Sequence, residues 1–200
     1  MKYILIESLF SGVCTLPVLL ILRKNIRVTD TVWARFSLVV YVLYLSTMFN
    51  VVGIPGIPYL SWGPNVNLIP FSDFGDSRFF WLSGMNVLMT VPLGFLLPQI
   101  WGCYRRFSST ALTGMLTALS IELLQLFSSR ATDVDDLIFN TLGVCLGYLA
   151  AKLLTGRHWR IGVQNERQER CSLLCVNGIV FFFHFFLRFP VLNLLYPLLH

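Results

Sequence analysis

The sequence predicts an all-α fold: a polytopic transmembrane bundle of five to six helices, with an ordered external loop between helices 2 and 3. Three observations carry that prediction. Hydrophobic residues make up 56% of the 200-residue chain, and its mean hydropathy of +0.69 lies outside the range of soluble domains. Six apolar runs approach the length of a bilayer crossing. The charged residues, only 12% of the total, gather mostly in the connectors between those runs.

The runs fall near residues 3–22, 33–53, 79–100, 108–128, 134–154 and 173–189, all within a single membrane domain covering 1–200. The first reads as a retained span, because Glu7 interrupts the apolar run and no small-x-small cleavage site follows it. Between the second and third lies GIPGIPYLSWGPNVNLIPFSDFGDSR, where Pro55, Pro58, Pro64 and Pro70 alternate with glycines and forbid a continuous helix. Its Tyr59, Trp62 and Phe71 suit the headgroup level, so the loop is expected to pack over the bundle mouth as an ordered lid. Residues 151–172 form a basic connector, and 173–200 an aromatic C-terminal segment broken by Pro190 and Pro197. His184 and Arg188, four apart, can share one protected face, which favours a span over an interfacial hairpin.

Orientation follows from the basic residues. Arg23, Lys24, Arg27, Arg35, Arg105, Arg106, Lys152, Arg157, Arg160, Arg167 and Arg170 fall in alternate connectors and make up eleven of the fifteen Lys and Arg. The positive-inside rule puts that set in the cytoplasm. Both termini, the 54–78 loop and the 128–134 turn then face outward. Basic residues parcelled in this way explain the formal charge of +5 without a nucleic-acid partner. Five cysteines, three of them inside apolar runs, suggest no disulfide framework. Cys171 and Cys175 lack neighbouring histidines and read as ordinary helix residues.

Within this apolar chain, IELLQLFSSRATDVDDLIFNTLG, from Ile121 to Gly143, holds Glu122, Asp133, Asp135 and Asp136, four of the ten carboxylates, together with Arg130. The polar residues have helical spacing. One face of the fourth run carries Gly114, Ala118, Glu122, Gln125 and Ser129, and one face of the fifth carries Asp136, Asn140, Gly143, Gly147 and Ala151. The third repeats the pattern with Asn86, Thr90, Gly94 and Leu97. Small residues admit close backbones and polar ones avoid lipid, so the three stripes are expected to face one another. Asn86, Glu122 and Asn140 each fall about 9 to 10 Å inside the outer boundary at ~1.5 Å per residue, and so share a level.

An ionised Glu122 in lipid would be costly, so it needs a proton, the Arg130 cation or a hydrated pocket opening outward. Simpler roles compete with a ligand site. Asp133 can cap the fifth helix, with Asp135 and Asp136 favourably placed in its first turn. Glu122, Gln125, Asn86 and Asn140 can form an interhelical network. DVDD lacks the ligand spacing of a known cation loop. No GxSxG or HExxH occurs, and no histidine lies near the outer cluster in sequence. A carboxylate acid/base pair from Glu122 and Asp136 is formally available, but no catalytic residue, metal or cofactor is assigned.

Four motifs stand in order: NLIPF at Asn67 to Phe71, N-x5-PLGFLLP from Asn86 to Pro98, IELLQ at Ile121 to Gln125, and RATDVDDLIFNTLG from Arg130 to Gly143. Together they resemble the VanZ-like family of bacterial membrane proteins, over a core of about residues 65–150. The family pattern falls on Asn67, Pro70, Phe71, Asn86, Pro92, Gly94, Glu122, Gln125, Arg130, Asp133, Asp136, Asn140 and Gly143. The first two spans and the aromatic C-terminal segment show no such motif. The resemblance implies a multi-pass protein of the bacterial plasma membrane, associated with low-level resistance to the lipoglycopeptide teicoplanin and not known as an enzyme of the resistance pathway. Its expected partners are membrane lipids and either a lipoglycopeptide or a lipid-linked cell-wall precursor. The expected ligand-binding residues are Asn67, Pro70, Phe71, Asn86, Glu122, Gln125, Arg130, Asp133, Asp136 and Asn140.

Overall fold

The computed structural model describes residues 12–15, 17–18, 26, 28–29, 31–57, 60–63, 65–128, 131–159 and 165–190. Most of the first apolar run, Arg130, and residues 191–200 at the chain end lie outside them. Five helices among the described residues are long and apolar enough to cross a membrane. We label them α1 (Val32–Val51), α2 (Phe79–Ile100), α3 (Phe107–Gln125), α4 (Val134–Thr155) and α5 (Glu166–Phe182), the last continuing through a π-turn at Phe183–Leu187. The last candidate span, Glu166–Pro190, begins seven residues before the apolar run that announced it. Asn165 caps it by accepting from the Gln168 amide, and Glu166 and Glu169 sit in its first turn, so polar residues of the basic connector already belong to the helix.

Helix ends follow local chemistry. The Thr31 hydroxyl accepts from the Ala34 amide at the start of α1. At the other end Gly53 takes a φ of 68°, and the amides of Gly53 and Ile54 return to the carbonyls of Asn50 and Phe49. That left-handed closure favours glycine and satisfies carbonyls the helix leaves open. Pro92 and Pro98 lie inside α2. In the turn before Pro92 the Tyr44 hydroxyl donates to the Met89 carbonyl at 2.9 Å, the kind of substitute partner that lets membrane helices tolerate proline.

The helices are held by two kinds of contact. Tyr41, Leu45 and Met48 of α1 pack with Leu97, Ile100 and Trp101 at the end of α2 and with Val176 and Val180 of α5. α4 lies along α2 and is flanked by α3. Here the seam is small and polar rather than bulky. A Cβ on Gly94 would strike the backbone of Val144 and Tyr148, one on Gly143 the Thr90 side chain and the Val87 carbonyl, and one on Gly147 the Val91 carbonyl. The large apolar residues turn outward, as Trp81 and Leu153 do. Lipid is as apolar as leucine, so close backbone approach and buried polar contacts, not apolarity, mark the interior of such a bundle.

At one end, a short 3-10 helix (Gly102–Arg105) joins α2 to α3. Tyr148 donates to the Arg105 carbonyl at 2.7 Å, and the Cys103 amide donates to Glu169 at 2.6 Å. Burial, with help from Glu169, pushes the Cys103 thiol up to about 12. At pH 8 only about one Cys103 in ten thousand is then a thiolate. A maleimide added to native protein is expected to label the exposed Cys171 and spare Cys103 until the protein is denatured, as mass spectrometry of the labelled peptides would show.

Candidate functional site: a loop and turn pinned over the α3–α4 hairpin

At the opposite end the chain does something periodicity did not announce. Residues Asn65–Asn67 (β1) pair in parallel with Ala131–Asp133 (β2), in the register Asn65 to Ala131, Val66 to Thr132 and Asn67 to Asp133. The proline-rich loop is thereby tied to the α3–α4 turn. Ser61 adds an amide bond to the Phe127 carbonyl at 3.1 Å, and Trp62 packs on Phe127 with ring centres 5.2 Å apart.

The three aspartates of the turn each hold a different part of the structure. Asp133 is the N-cap of α4, with one carboxylate oxygen accepting from the Asp135 amide at 2.9 Å. Its other oxygen accepts from the Asn67 side chain at 3.2 Å, and Asn67 also donates to Ser72 at 2.7 Å and accepts from the Ile69 amide. Asp135, buried, accepts the Phe71 amide with both oxygens at 3.0 Å. Phe71 has a φ of 59°, a region that non-glycine residues rarely occupy. Its ring packs on Phe79 and Phe139, and Pro70 beside it is exposed. Asp136 accepts from the Asn86 side chain of α2. Three carboxylates aimed at three partners form no cation cage, and among the described residues no three His, Cys, Asp or Glu side chains converge on one point.

Beneath this layer the stripes meet as their spacing required. Glu122, Gln125 and Asn140 are all buried. The Thr90 hydroxyl bridges α2 to α4 by donating to the Asn140 carbonyl at 2.8 Å. Gln125 donates to the Val52 carbonyl at the end of α1 at 3.1 Å. Glu122 accepts the Asp133 amide at 3.0 Å, while its own carbonyl accepts from Thr132. Glu122 is thus braced to β2, and no hydrogen bond joins it to Asn140. One carboxylate oxygen of Glu122, the side-chain oxygen of Gln125 and that of Asn140 are buried without a donor among the described residues.

The structure therefore joins Asn67 to Asp133, Asn86 to Asp136 and Glu122 to the turn, and leaves Pro70 on the surface. Arg130 falls outside the described residues. Sequence reasoning left out Asp135, whose only signal was an acidic residue in a first helical turn. Thr90 had a place on a stripe but none among the candidate site residues. A family model described as VanZ/LLP1 matches residues 32–155, which includes α1 to α4 and the whole of the pinned loop and turn. No curated protein and no solved structure matches the chain.

Proposed function

The chain belongs to the VanZ/LLP1 family, and from that premise we propose that its β1–β2 end faces outward and lowers susceptibility to teicoplanin-type lipoglycopeptides. It does so by engaging an amphiphile at the outer leaflet, either the antibiotic or a lipid-linked cell-wall precursor. Five candidate spans and the family fit a multi-pass membrane protein; the site and its ligand go beyond them. The observation that carries it is the set of three buried oxygens on Glu122, Gln125 and Asn140 that no donor among the described residues satisfies. Buried acceptors left alone cost about 1 to 3 kcal/mol each. All three are acceptors, so the group that completes them must bring N–H or O–H donors. Both ligand classes carry amides and hydroxyls beside a hydrocarbon tail. The loop pinned by Asp133 and Asp135 stands over the same end.

A second reading has its own support. Asp133, Asp135 and Asp136 are all engaged in holding loop, turn and helices together, as a purely structural or partner-binding subunit would require. Glu122→Gln separates the two, because a glutamine keeps an oxygen for the Asp133 amide but alters the unsatisfied position. The ligand reading expects folded, membrane-inserted protein and a return of teicoplanin susceptibility to that of cells lacking the chain. The structural reading expects unchanged stability and unchanged susceptibility. If Glu122→Gln, Asp136→Asn and Arg130→Ala all fold normally and all leave susceptibility unaltered, the ligand reading is wrong. An enzymatic use of Glu122 and Asp136 would show as turnover of labelled lipid precursors by purified protein, with or without a chelator.

A further inference from the structure

The segment that follows β1, residues 68–74, turns its apolar side chains to the outside and keeps its polar bonds on the inside. Leu68 and Ile69 are 72% and 69% exposed, and Pro70, Phe71 and Phe74 are exposed beside them. The backbone beneath these side chains is held. The Ile69 amide donates to the Asn67 side chain and the Phe71 amide to Asp135, while the amides of Ser72 and Phe74 donate to the carbonyls of Ile69 and Phe71. Pro70 has no amide hydrogen to satisfy. These donors find their acceptors within the protein, which is what backbone approaching hydrocarbon requires.

The rings give the depth of the segment. Phe71 packs on Phe79, the first residue of α2, and on Phe139, with ring centres 6.3 Å apart in each case. Phe139 lies five residues beyond the start of α4 at Val134, about 7.5 Å along the axis at the rise of an α-helix. Phe74 reaches Phe79 and Phe80 at 5.7 and 5.4 Å. Phe71 and Phe74 therefore lie against the flank of α2 and α4, at the level of their first turns. Both helices are long and apolar enough to cross a membrane. The apolar edge of the segment continues into the exposed face of α2 at Phe80, Trp81 and Leu82.

We infer that the apolar edge of residues 68–74 inserts into the lipid leaflet at the β1–β2 end and rests at the boundary between headgroups and acyl chains. Contiguous apolar side chains held outward by a fixed backbone mark a surface that meets an apolar partner. Its position selects lipid as that partner, because the patch adjoins the face that α2 turns toward the bilayer. Asp73 and Asp76, the first charges after Phe71, are exposed and limit the insertion, since a carboxylate is costly in hydrocarbon. Leucine, isoleucine and phenylalanine suit the shallow depth that remains. The inference is independent of the ligand reading, for Glu122, Gln125 and Asn140 take no part in it.

The test uses full-length protein in phosphatidylcholine nanodiscs, with trifluoromethyl-phenylalanine placed singly at Phe71, Phe74 and Phe80, where it keeps the native ring, and at the exposed Leu68. Fluorine signals are recorded with a lipid carrying a nitroxide near the top of its acyl chain, and separately with a water-soluble gadolinium chelate. The signals at 68, 71 and 74 are expected to broaden with the nitroxide lipid as strongly as the reference at 80. They should resist the chelate, which broadens the free amino acid in the same buffer. Signals at 68 and 74 that broaden with the chelate and not with the lipid would put the segment in water and overturn the inference. Signals protected from both would put it against a second copy of the chain, and would overturn it equally. The probes at 71, 74 and 80 preserve ring packing, so they decide the matter even if Leu68→trifluoromethyl-phenylalanine does not fold.

Discussion

Gly143→Leu is expected to leave little folded protein. A side chain there has nowhere to go, because its first carbon would already strike the Thr90 hydroxyl and the Val87 carbonyl. Backbone cannot swing aside as a flexible side chain can, so α2 and α4 would have to part, and the Thr90 bond to the Asn140 carbonyl would part with them. Overpacking ordinarily costs about 1 to 3 kcal/mol, and an obstruction made of backbone puts this case above it, at about 4 kcal/mol or more. Gly94→Leu and Gly147→Leu should behave alike, since their obstructing atoms are also main-chain. Gly84 lies on the same helix as Gly94 but has open space around its α-carbon. Gly84→Ala is therefore expected to change stability by less than about 0.5 kcal/mol. Thermal unfolding of the detergent-solubilised variants, with the monodisperse fraction recovered, checks both halves of the expectation.

Asp135→Ala should produce the next largest effect and a more local one. The carboxylate accepts the Phe71 amide with both oxygens and also sits in the first turn of α4. Its loss removes a charge-assisted bond and a favourable charge at a helix start, together about 2 to 3 kcal/mol. It also removes what holds Phe71 at a positive φ, so residues 68–74 should lift from the bundle. Hydrogen exchange in that segment is expected to rise sharply while exchange in α2 and α4 changes little. Asp135→Asn, which keeps one acceptor oxygen, should fall between the two. If the segment's exchange is unaltered in Asp135→Ala, the loop is held by β1 and the Phe71 packing alone.

These two sites differ in how far the sequence discloses them. Helical spacing alone puts Gly143, Gly147 and Gly94 on facing stripes, and the structure puts all three at backbone contact. The spacing of Glu122 and Gln125 likewise put them on the buried side of α3, where they lie. Asp135 could not be found that way. A first-turn aspartate reads as a favourable charge at a helix start whether or not a loop amide from 64 residues earlier comes to meet it. The same limit hid the pairing of β1 with β2, since three residues on each side leave no alternation to read.

Partner choice was the other thing hidden. Equal depth suggested that Glu122 would face Asn140, yet Glu122 takes the Asp133 amide, Asn140 lends its carbonyl to Thr90, and Asn86 takes Asp136. By itself the sequence determined which of the described helices are long and apolar enough to cross a membrane and which face of each turns inward, because in lipid a polar or small residue reports its own orientation. Which of those residues touch was decided only by the tertiary structure. That depends on the rotation and offset of one helix against the next and on the path of the loop between them, and neither is written in the period of a single strand of sequence.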